Sequence, residues 1–423
     1  MKNTDTSNCQ KLEGAFLARL TQLCGKESFR PKLDHIRDFL IHDRRVIESR
    51  SKVIIVGGTN GKGETCHGLS HLYQRAGFTS CLWTSPHVLS ITERFKLNES
   101  NISIEDLTEL LNEHEEVIRD LKLSFYEALF VLFIKFALKH KTDFVILEVG
   151  LGGRFDATNI FTRPIAAITS IGLDHTEILG STLKEILFEK YGITRMGGKL
   201  FENVEQTFLK DILSQWCGRD DITLTSVTQN KDLPYFEKNR QMAIALYQES
   251  TGQKLDEEII STIQWPLTPG RWDRMSVDGR DFVFVGAHNQ LGHKELLKSI
   301  SDCQGQETYD VLMSFSSGRE AQIKSTLKLY ETYPCVIKSI NILSYEHERA
   351  LSKETLQQNL KTGTKVYELH NFLDTILSTN EEIDAKKQSN IESLRSGSNK
   401  ILVVGSYYFI ACMQKYLRSK YSN

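Results

Sequence analysis

No stretch of this 423-residue chain is both long and uninterruptedly apolar. The most apolar part, residues 128–138, is broken by Lys135. It is too short to span a bilayer and reads as a buried helix. Charge of one sign is also missing. The chain has 52 basic and 54 acidic residues, a net charge of −2. That argues against nucleic acid or an anionic membrane as the main partner, since such binding needs surplus Lys and Arg. It leaves small anionic ligands open, because these need only a local positive pocket. The eight cysteines are Cys9, Cys24, Cys66, Cys81, Cys217, Cys303, Cys335 and Cys412. None forms a Cys-x-x-Cys pair, which argues against a zinc site. Their scatter does not resemble a disulfide framework and suits a reducing cytosol, so a cytoplasmic location is expected. The first ten residues are polar and carry no apolar signal core. No repeat of fixed period is visible.

What is present is ordinary for a soluble globular protein: 40% hydrophobic and 25% charged residues. At roughly 100–200 residues per domain the length predicts two domains, with enough chain to bury a core without staples. Short apolar runs at 53–57, 81–83, 144–150 and 165–172 alternate with helical patterns such as 105–120 and 126–139. That alternation predicts a mainly parallel sheet. It resumes after residue 275, at 282–285, 310–315, 336–343 and 401–405. Between the two series lies Trp265-Pro-Leu-Thr-Pro-Gly-Arg271, holding two of the chain's seven prolines. Pro and Gly punctuate structure, so the domains are expected at 1–270 and 271–423. Residues 380–400 are polar, lack periodicity, and read as a surface loop with a short helix.

The strongest local signal is Val53-Ile-Ile-Val-Gly-Gly-Thr-Asn-Gly-Lys-Gly-Glu-Thr65. A strand runs into a glycine-rich turn with a lysine, then into a helical pattern. Glycines let backbone N–H groups converge on phosphate oxygens, and the helix N-terminus adds partial positive charge. Lys62 supplies a point charge for the outer phosphates of a nucleotide triphosphate. The generic G-x-x-x-x-G-K-[ST] pattern is not met, because Val56 replaces its first Gly and Gly63 follows the lysine.

Three further segments follow predicted parallel strands, where open α/β sheets bind ligands. They are Thr84-Ser-Pro-His87, Leu147-Glu-Val-Gly-Leu-Gly-Gly-Arg-Phe-Asp-Ala-Thr-Asn159 and Ile171-Gly-Leu-Asp-His-Thr176. Ser85, Glu148 and His175 can thus converge beside the phosphates. A hydroxyl, a carboxylate and an imidazole suit a divalent cation that keeps waters and bridges phosphate oxygens.

Taken together, these segments resemble the folate branch of the Mur ligase superfamily, the dihydrofolate synthase/folylpolyglutamate synthase family. The resemblance also covers Glu189-Lys190, Pro269-Gly-Arg271, Ala287-His-Asn289 and Leu402-Val-Val-Gly-Ser406, in the family's order over about residues 50 to 410. It implies a P-loop ATPase domain followed by a smaller Rossmann-like α/β domain, with the active site in the cleft between. It implies ATP and Mg²⁺, with Ser85, Glu148 and His175 on the metal and Lys190 carbamylated in support. Carbamylation would turn a repelling ammonium into an anion; sequence alone reads Lys190 as a helix-surface residue. Lys62, Lys190 and His175 become the catalytic group. Thr59, Asn60, Gly61, Lys62, Gly63, Thr65, Asn239, Arg271 and His288 become the nucleotide contacts. Ser124-Phe125-Tyr126-Glu127 resembles the pterin-binding segment, and Phe155-Asp156-Ala157 matches members that accept dihydropteroate. The implied substrates are dihydropteroate or folate, L-glutamate and ATP; the sequence gives no sign of an obligate partner, so a monomer is expected.

The chain also departs from the family. Glu64 stands where Ser or Thr is usual after Lys-Gly, and Val285 stands where Asp is usual three residues before His288. Gln290 replaces a proline, and Met313-Ser-Phe-Ser-Ser-Gly-Arg319 lacks an acidic pattern. A carboxylate facing phosphates at ~4 Å costs about 4 kcal/mol at an effective dielectric near 20, and a lost ribose hydrogen bond on the order of 1 kcal/mol. These changes bear on ATP handling more than on the metal set. Two other readings stay open: another Mur-type amide ligase, and a silent homologue that binds folate or nucleotide without turnover.

Overall fold

The computed structural model describes residues 2–25, 32–228, 230, 233–266, 270–302, 307–377 and 399–421. Most of the expected surface loop at 380–400, residues 267–269 of the boundary stretch, and Cys303 lie outside the described residues. The chain divides into two compact units, Met1–Pro266 and Leu267–Asn423.

The first unit is built on eight strands: β1 (Lys52–Gly57), β2 (Ser80–Trp83), β3 (Phe95–Leu97), β4 (Ser100–Asn101), β5 (Phe144–Glu148), β6 (Ile165–Ile168), β7 (Lys199–Glu202) and β8 (Thr223–Ser226). Their order is β4-β3-β2-β5-β1-β6-β7-β8. From β2 to β8 in that order neighbours are parallel, and β3 and β4 form an antiparallel edge. β1 lies between β5 and β6, buried on both faces. Val53 and Ile55 pack into one core, while Ile54 and Val56 pack into the other. Such continuous burial needs apolar residues at every position, which is why β1 reads as an unbroken run. Phe130 and Phe133 of the helix Phe125–His140 fill the first core. The helices Lys62–Arg75 and Tyr235–Thr251 cover the other face, where Tyr73 stacks on Phe144 with centroids 3.7 Å apart.

The second unit has six strands: β9 (Arg271–Val277), β10 (Arg280–Val285), β11 (Tyr309–Met313), β12 (Ile337–Ser344), β13 (Val366–Glu368) and β14 (Lys400–Val404). Their order is β13-β12-β11-β14-β10-β9. Only β9 is antiparallel to its neighbour. A larger, mainly parallel phosphate-loop sheet followed by a smaller α/β unit is the expected fold class. Among the described residues no helix is long and apolar enough to cross a membrane, and none of the seven described cysteines forms a disulfide.

Six strands were not expected from sequence: β3, β4, β7, β8, β9 and β13. They are short, or carry polar residues on exposed positions. β9 is the clearest case, with the sequence RWDRMSV and a single fully buried position. It sits at a sheet edge, where one face stays wet and no apolar run is required.

Candidate functional site

β1 ends at Gly57, and the helix Lys62–Arg75 begins five residues later. The turn between them needs glycine for steric reasons. Gly61 has φ +88°, and Gly58 has φ +145°. A Cβ on Gly61 would run into the Asn239 amide, and one on Gly58 into the Thr169 hydroxyl, both well inside 3 Å. The helix-preceding residue is Gly61, so no side chain caps the helix N-terminus. Its first N–H groups are therefore not taken up by a capping side chain, which is the arrangement of an anion-binding helix start.

The turn is held from β6. Thr59 N donates to Ser170 O at 2.9 Å, and Asn60 N to Ser170 Oγ at 2.9 Å. Thr169 Oγ1 donates to Asn60 O at 2.6 Å. Thr59 Oγ1 donates to Gly172 O and accepts from Gly172 N, at 3.2 and 3.0 Å. The roles of Thr169 and Ser170 were not anticipated. Their only sequence signal is a polar pair directly after the apolar run of β6.

Two lysines meet on one carbonyl. Lys62 Nζ donates to Gly58 O at 3.1 Å and to Thr59 O at 3.2 Å. Lys190 Nζ donates to Gly58 O at 2.9 Å. Lys190 is 4% exposed, so the helix-surface reading of this residue is corrected. The helix Leu183–Tyr191 turns it inward, with its neighbour Glu189 pairing to Arg154 at 2.7 Å. Burial, followed by the charge of Lys62, lowers the Lys190 pKa from 10.5 to about 7, against the pull of Asp174, Asp156 and Glu189.

Glu148 sits at the end of β5, 3% exposed. Its Oε2 accepts from Ser85 N at 2.9 Å, and both oxygens would stand 3.2 Å from a Cβ on Gly63. Ser85, Glu148 and the start of the loop helix are thus brought together. His175 precedes the short helix Thr176–Leu179 at φ +48°. Its ring lies 3.9 Å from Asp174 Oδ1 and 3.6 Å from Glu177 Oε1, and its side chain is 42% exposed. Among the described residues no three His, Cys, Asp or Glu side chains form a ready-made metal cluster. The donor chemistry fits a hard cation that takes its remaining ligands from water and phosphate. Thr65, fully buried, leaves its Oγ1 without a partner beneath the same turn. Beside the loop, Asn239 Nδ2 donates to Glu64 Oε2 at 2.6 Å.

The expected pterin segment lies in the same unit. Ser124 and Glu127 form a reciprocal cap on the helix Phe125–His140, with Ser124 N to Glu127 Oε2 at 2.7 Å. Phe125 packs on the core. Tyr126 OH donates to Asp156 Oδ1 at 3.2 Å and accepts from Trp83 Nε1 and Gly150 N at 3.3 and 3.1 Å. Asp156 also accepts from Gly150 N, Leu151 N, Thr158 N and Thr158 Oγ1, at 2.6–3.0 Å. Burial raises the pKa of both Tyr126 and Asp156. Asp156 therefore holds the turn at 150–158 through its own backbone. Ala157 is buried in that turn, and Phe155 is half-buried under Arg154, whose guanidinium lies 4.3 Å from the ring centroid. Arg94 was missed by sequence reading. It is 2% exposed, donates through Nε to His87 Nδ1 at 3.0 Å, and leaves Nη1 buried without a partner.

In the second unit Arg271 and His288 gather on one ring, with Tyr407 5.6 Å from the guanidinium and 5.9 Å from the imidazole. Gly286 allows this, since a Cβ there would enter the Tyr407 ring. A cavity of about 580 Å³, lined by Lys52, Ile165 and Lys199 among others, opens at the amino ends of β1, β6 and β7. That is the opposite end of the strands from the phosphate loop.

Fold and loop together define a two-unit α/β protein with a glycine-rich strand–turn–helix at the carboxyl end of its central strand. No protein-family model matches the chain. The dihydrofolate synthase/folylpolyglutamate synthase of Bacillus subtilis (strain 168) is 28% identical over 412 residues, covering 88% of this chain and 91% of that protein. A solved folylpolyglutamate synthase of Mycobacterium tuberculosis, complexed with ADP and AMPPCP, has a TM-score of 0.79 at 20% identity, covering 96% of this chain and 98% of that one. A bifunctional folylpolyglutamate synthase/dihydrofolate synthase solved with Mn, AMPPNP and L-glutamate bound has a TM-score of 0.76 at 23% identity, covering 96% and 98%. The chain is thus similar over most of its length to a dihydrofolate synthase/folylpolyglutamate synthase, and it shares the fold of solved members of that family.

Proposed function

We propose that this chain is an ATP-dependent carbon–nitrogen ligase that joins L-glutamate to dihydropteroate, to the glutamate tail of reduced folates, or to both. The observation that carries this reading is the uncapped helix start beside Lys62, Lys190 and Glu148.

The backbone N–H groups of Gly61 and Gly63, with Lys62, receive the triphosphate, while Thr59 and Asn60, their own N–H groups bonded to Ser170, shape the turn around it. Thr65 and Asn239 border it, and Arg271 and His288 are further residues assigned to nucleotide binding. The acceptor's carboxylate oxygen attacks the γ-phosphorus, and the bond to the departing ADP oxygen breaks. The glutamate amine then attacks the acyl carbon of the resulting acyl phosphate. Phosphate leaves with one former carboxylate oxygen, and the nitrogen gives up a proton as the amide forms. Lys62 follows the charge moving onto phosphate oxygens, so catalysis rests on positioning and charge neutralisation.

Ser85, Glu148 and His175 would hold a divalent cation, taken to be Mg²⁺, which when bound neutralises phosphate charge. Lys190, with its pKa near 7, presents a partly neutral amine at neutral pH. A neutral amine takes up CO₂ as a carbamate with loss of a proton, and the resulting anion would support the metal ligands. Tyr126 and Phe155 border the pterin, with Ser124 and Glu127 fixing the helix that carries Tyr126. Asp156 and Ala157 act through the turn they hold. The enzyme is assigned to the cytoplasm as a monomer.

The test is phosphate release with Mg²⁺-ATP and L-glutamate, with and without 7,8-dihydropteroate or reduced folate, beside a Glu148→Ala variant. The expected result is release that needs all co-substrates and vanishes in the variant. No release with either acceptor, from a folded protein, would contradict the reading and favour a silent binding homologue.

A further inference from the structure

The cavity of about 580 Å³ at the amino ends of β1, β6 and β7 lies at the end of the strands that open α/β sheets do not ordinarily use for ligands. Four basic side chains line it, Lys52, Arg163, Arg195 and Lys199, against two carboxylates, Glu48 and Glu249. Both carboxylates are already engaged. Glu48, on the helix Ile41–Arg50, accepts from Thr162 N at 2.5 Å, Thr162 Oγ1 at 2.9 Å and Arg163 N at 3.2 Å, and its Oε2 lies 3.7 Å from Arg44 Nε. Glu249 pairs with Lys199.

The other three cations end on neutral acceptors or on none. Lys52 Nζ donates to a carbonyl, Ser250 O, at 2.6 Å. Arg195 donates to the carbonyl oxygens of Phe161, Thr194 and Asn159 and to Asn159 Oδ1. Burial and then the charge of Arg37 lower its pKa only to about 10, against the pull of Glu48, so it stays charged at neutral pH. Arg163 is exposed, and among the described residues no carboxylate lies within ion-pair distance of its guanidinium. A neutral acceptor fixes a cation without cancelling its charge. The wall at 197–198 is two glycines, and a Cβ on Gly197 would meet nothing within 4 Å, so the space stays open there.

We infer that this cavity is a second anion site, for a small molecule with at least two negative charges, of phosphate or carboxylate chemistry. Its volume is that of a small-metabolite site. Lys52 and Arg163 make the direct contacts, and Arg195, its own N–H groups taken, adds charge. The inference goes beyond the ligase reading and does not depend on it, since none of these residues belongs to the phosphate loop.

The experiment titrates pyrophosphate and, separately, citrate into the full chain carrying ¹³C at its methionine methyl groups. Of the six methionines only Met196 lines the cavity, and it is 82% exposed. Its resonance, assigned with Met196→Leu, therefore reports this site. Calorimetry then compares Lys62→Ala, which removes the loop's lysine, with Lys62→Ala combined with Lys52→Gln and Arg163→Gln. The expected result is a Met196 shift that saturates with at least one probe and survives Lys62→Ala, with binding about tenfold weaker in the combined variant. The tighter probe assigns the chemistry, pyrophosphate to phosphate and citrate to carboxylate. A Met196 resonance that neither probe moves in wild type overturns the site without recourse to a variant. Binding to the combined variant weakened by less than about fivefold overturns it too. Neither failure touches the ligase reading, which phosphate release tests separately.

Discussion

Both units run a buried strand into a short turn and then a helix. In the first, β1 leads through residues 58–61 to the helix Lys62–Arg75; in the second, β10 leads through residues 286–289 to the helix Gln290–Asp302. The second turn is closed by its own side chain. Asn289 is fully buried, and its Oδ1 accepts from Gly292 N at 2.8 Å. The first turn has glycine at the matching place and no side-chain cap. Each region also buries a base, with opposite outcomes. Lys190 is brought to about 7, where neutral and charged forms coexist near physiological pH. His293, next to Tyr330 OH at 3.0 Å, is brought to about 3 by burial and then by the charges of His288 and Arg319. It is a neutral imidazole at any working pH. The same strand–turn–helix unit thus has a helix start without a side-chain cap beside a buried lysine in one place and a self-satisfied joint in the other.

The comparison breaks if the first loop can lose its charge without cost. Lys62→Ala is expected to lower phosphate release on the order of 10³-fold, as for loss of a group that stabilises transferring phosphate. Steady-state assays of the purified variant check this.

His293 tests the second region through pH. It is a base whose folded pKa lies below its unfolded value of 6.5. Between those values the unfolded chain binds the extra proton. The stability associated with a neutral His293 is therefore complete above pH 6.5 and is lost as pH falls toward 3. The loss is expected to be on the order of 3 kcal/mol at the acid end. Denaturant melts of wild type against His293→Gln, from pH 7 down to 4, should show a flatter acid slope in the variant.

Gly61→Ala places a Cβ into the Asn239 amide at a left-handed φ and should destabilise by about 1–3 kcal/mol. Gly292→Ala, at the start of the helix after the other turn, meets nothing nearer than Asn289 Oδ1, at 3.2 Å, and should cost clearly less. Denaturant midpoints of the two variants rank them directly. The smallest effect is expected from Asn289→Ala, which removes the cap and should cost about 1 kcal/mol while changing Mg²⁺-ATP affinity less than Gly61→Ala does.

Much of the architecture was legible because interior parallel strands must be apolar at every position. β1, β2, β5, β6, β10, β11, β12 and β14 were each visible as short runs. The edge strands β3, β4, β9 and β13, and the outer pair β7 and β8, were not, since they are short or keep positions open to solvent, and buried β7 carries Glu202 in a run of four residues. In the site, the glycine turn and Lys62 could be read from local physics, because the residue types state the backbone they require. Lys190 could not. Its burial depends on how the helix Leu183–Tyr191 packs behind β1, and a helical lysine carries no sign of that. Asp156 shows the same limit, since a carboxylate beside a glycine turn reads alike whether it faces ligand or its own backbone. The contact that holds Glu64 spans 175 residues of sequence, and no local pattern predicts it.

The most direct single measurement follows oxygen. Dihydropteroate labelled with ¹⁸O in both carboxylate positions, turned over with Mg²⁺-ATP and L-glutamate, should yield phosphate carrying one ¹⁸O and an amide retaining the other. That result requires an acyl phosphate formed on the nucleotide held at the first unit's loop. Unlabelled phosphate alongside amide product would contradict it, because the phosphate would then have come from attack by water.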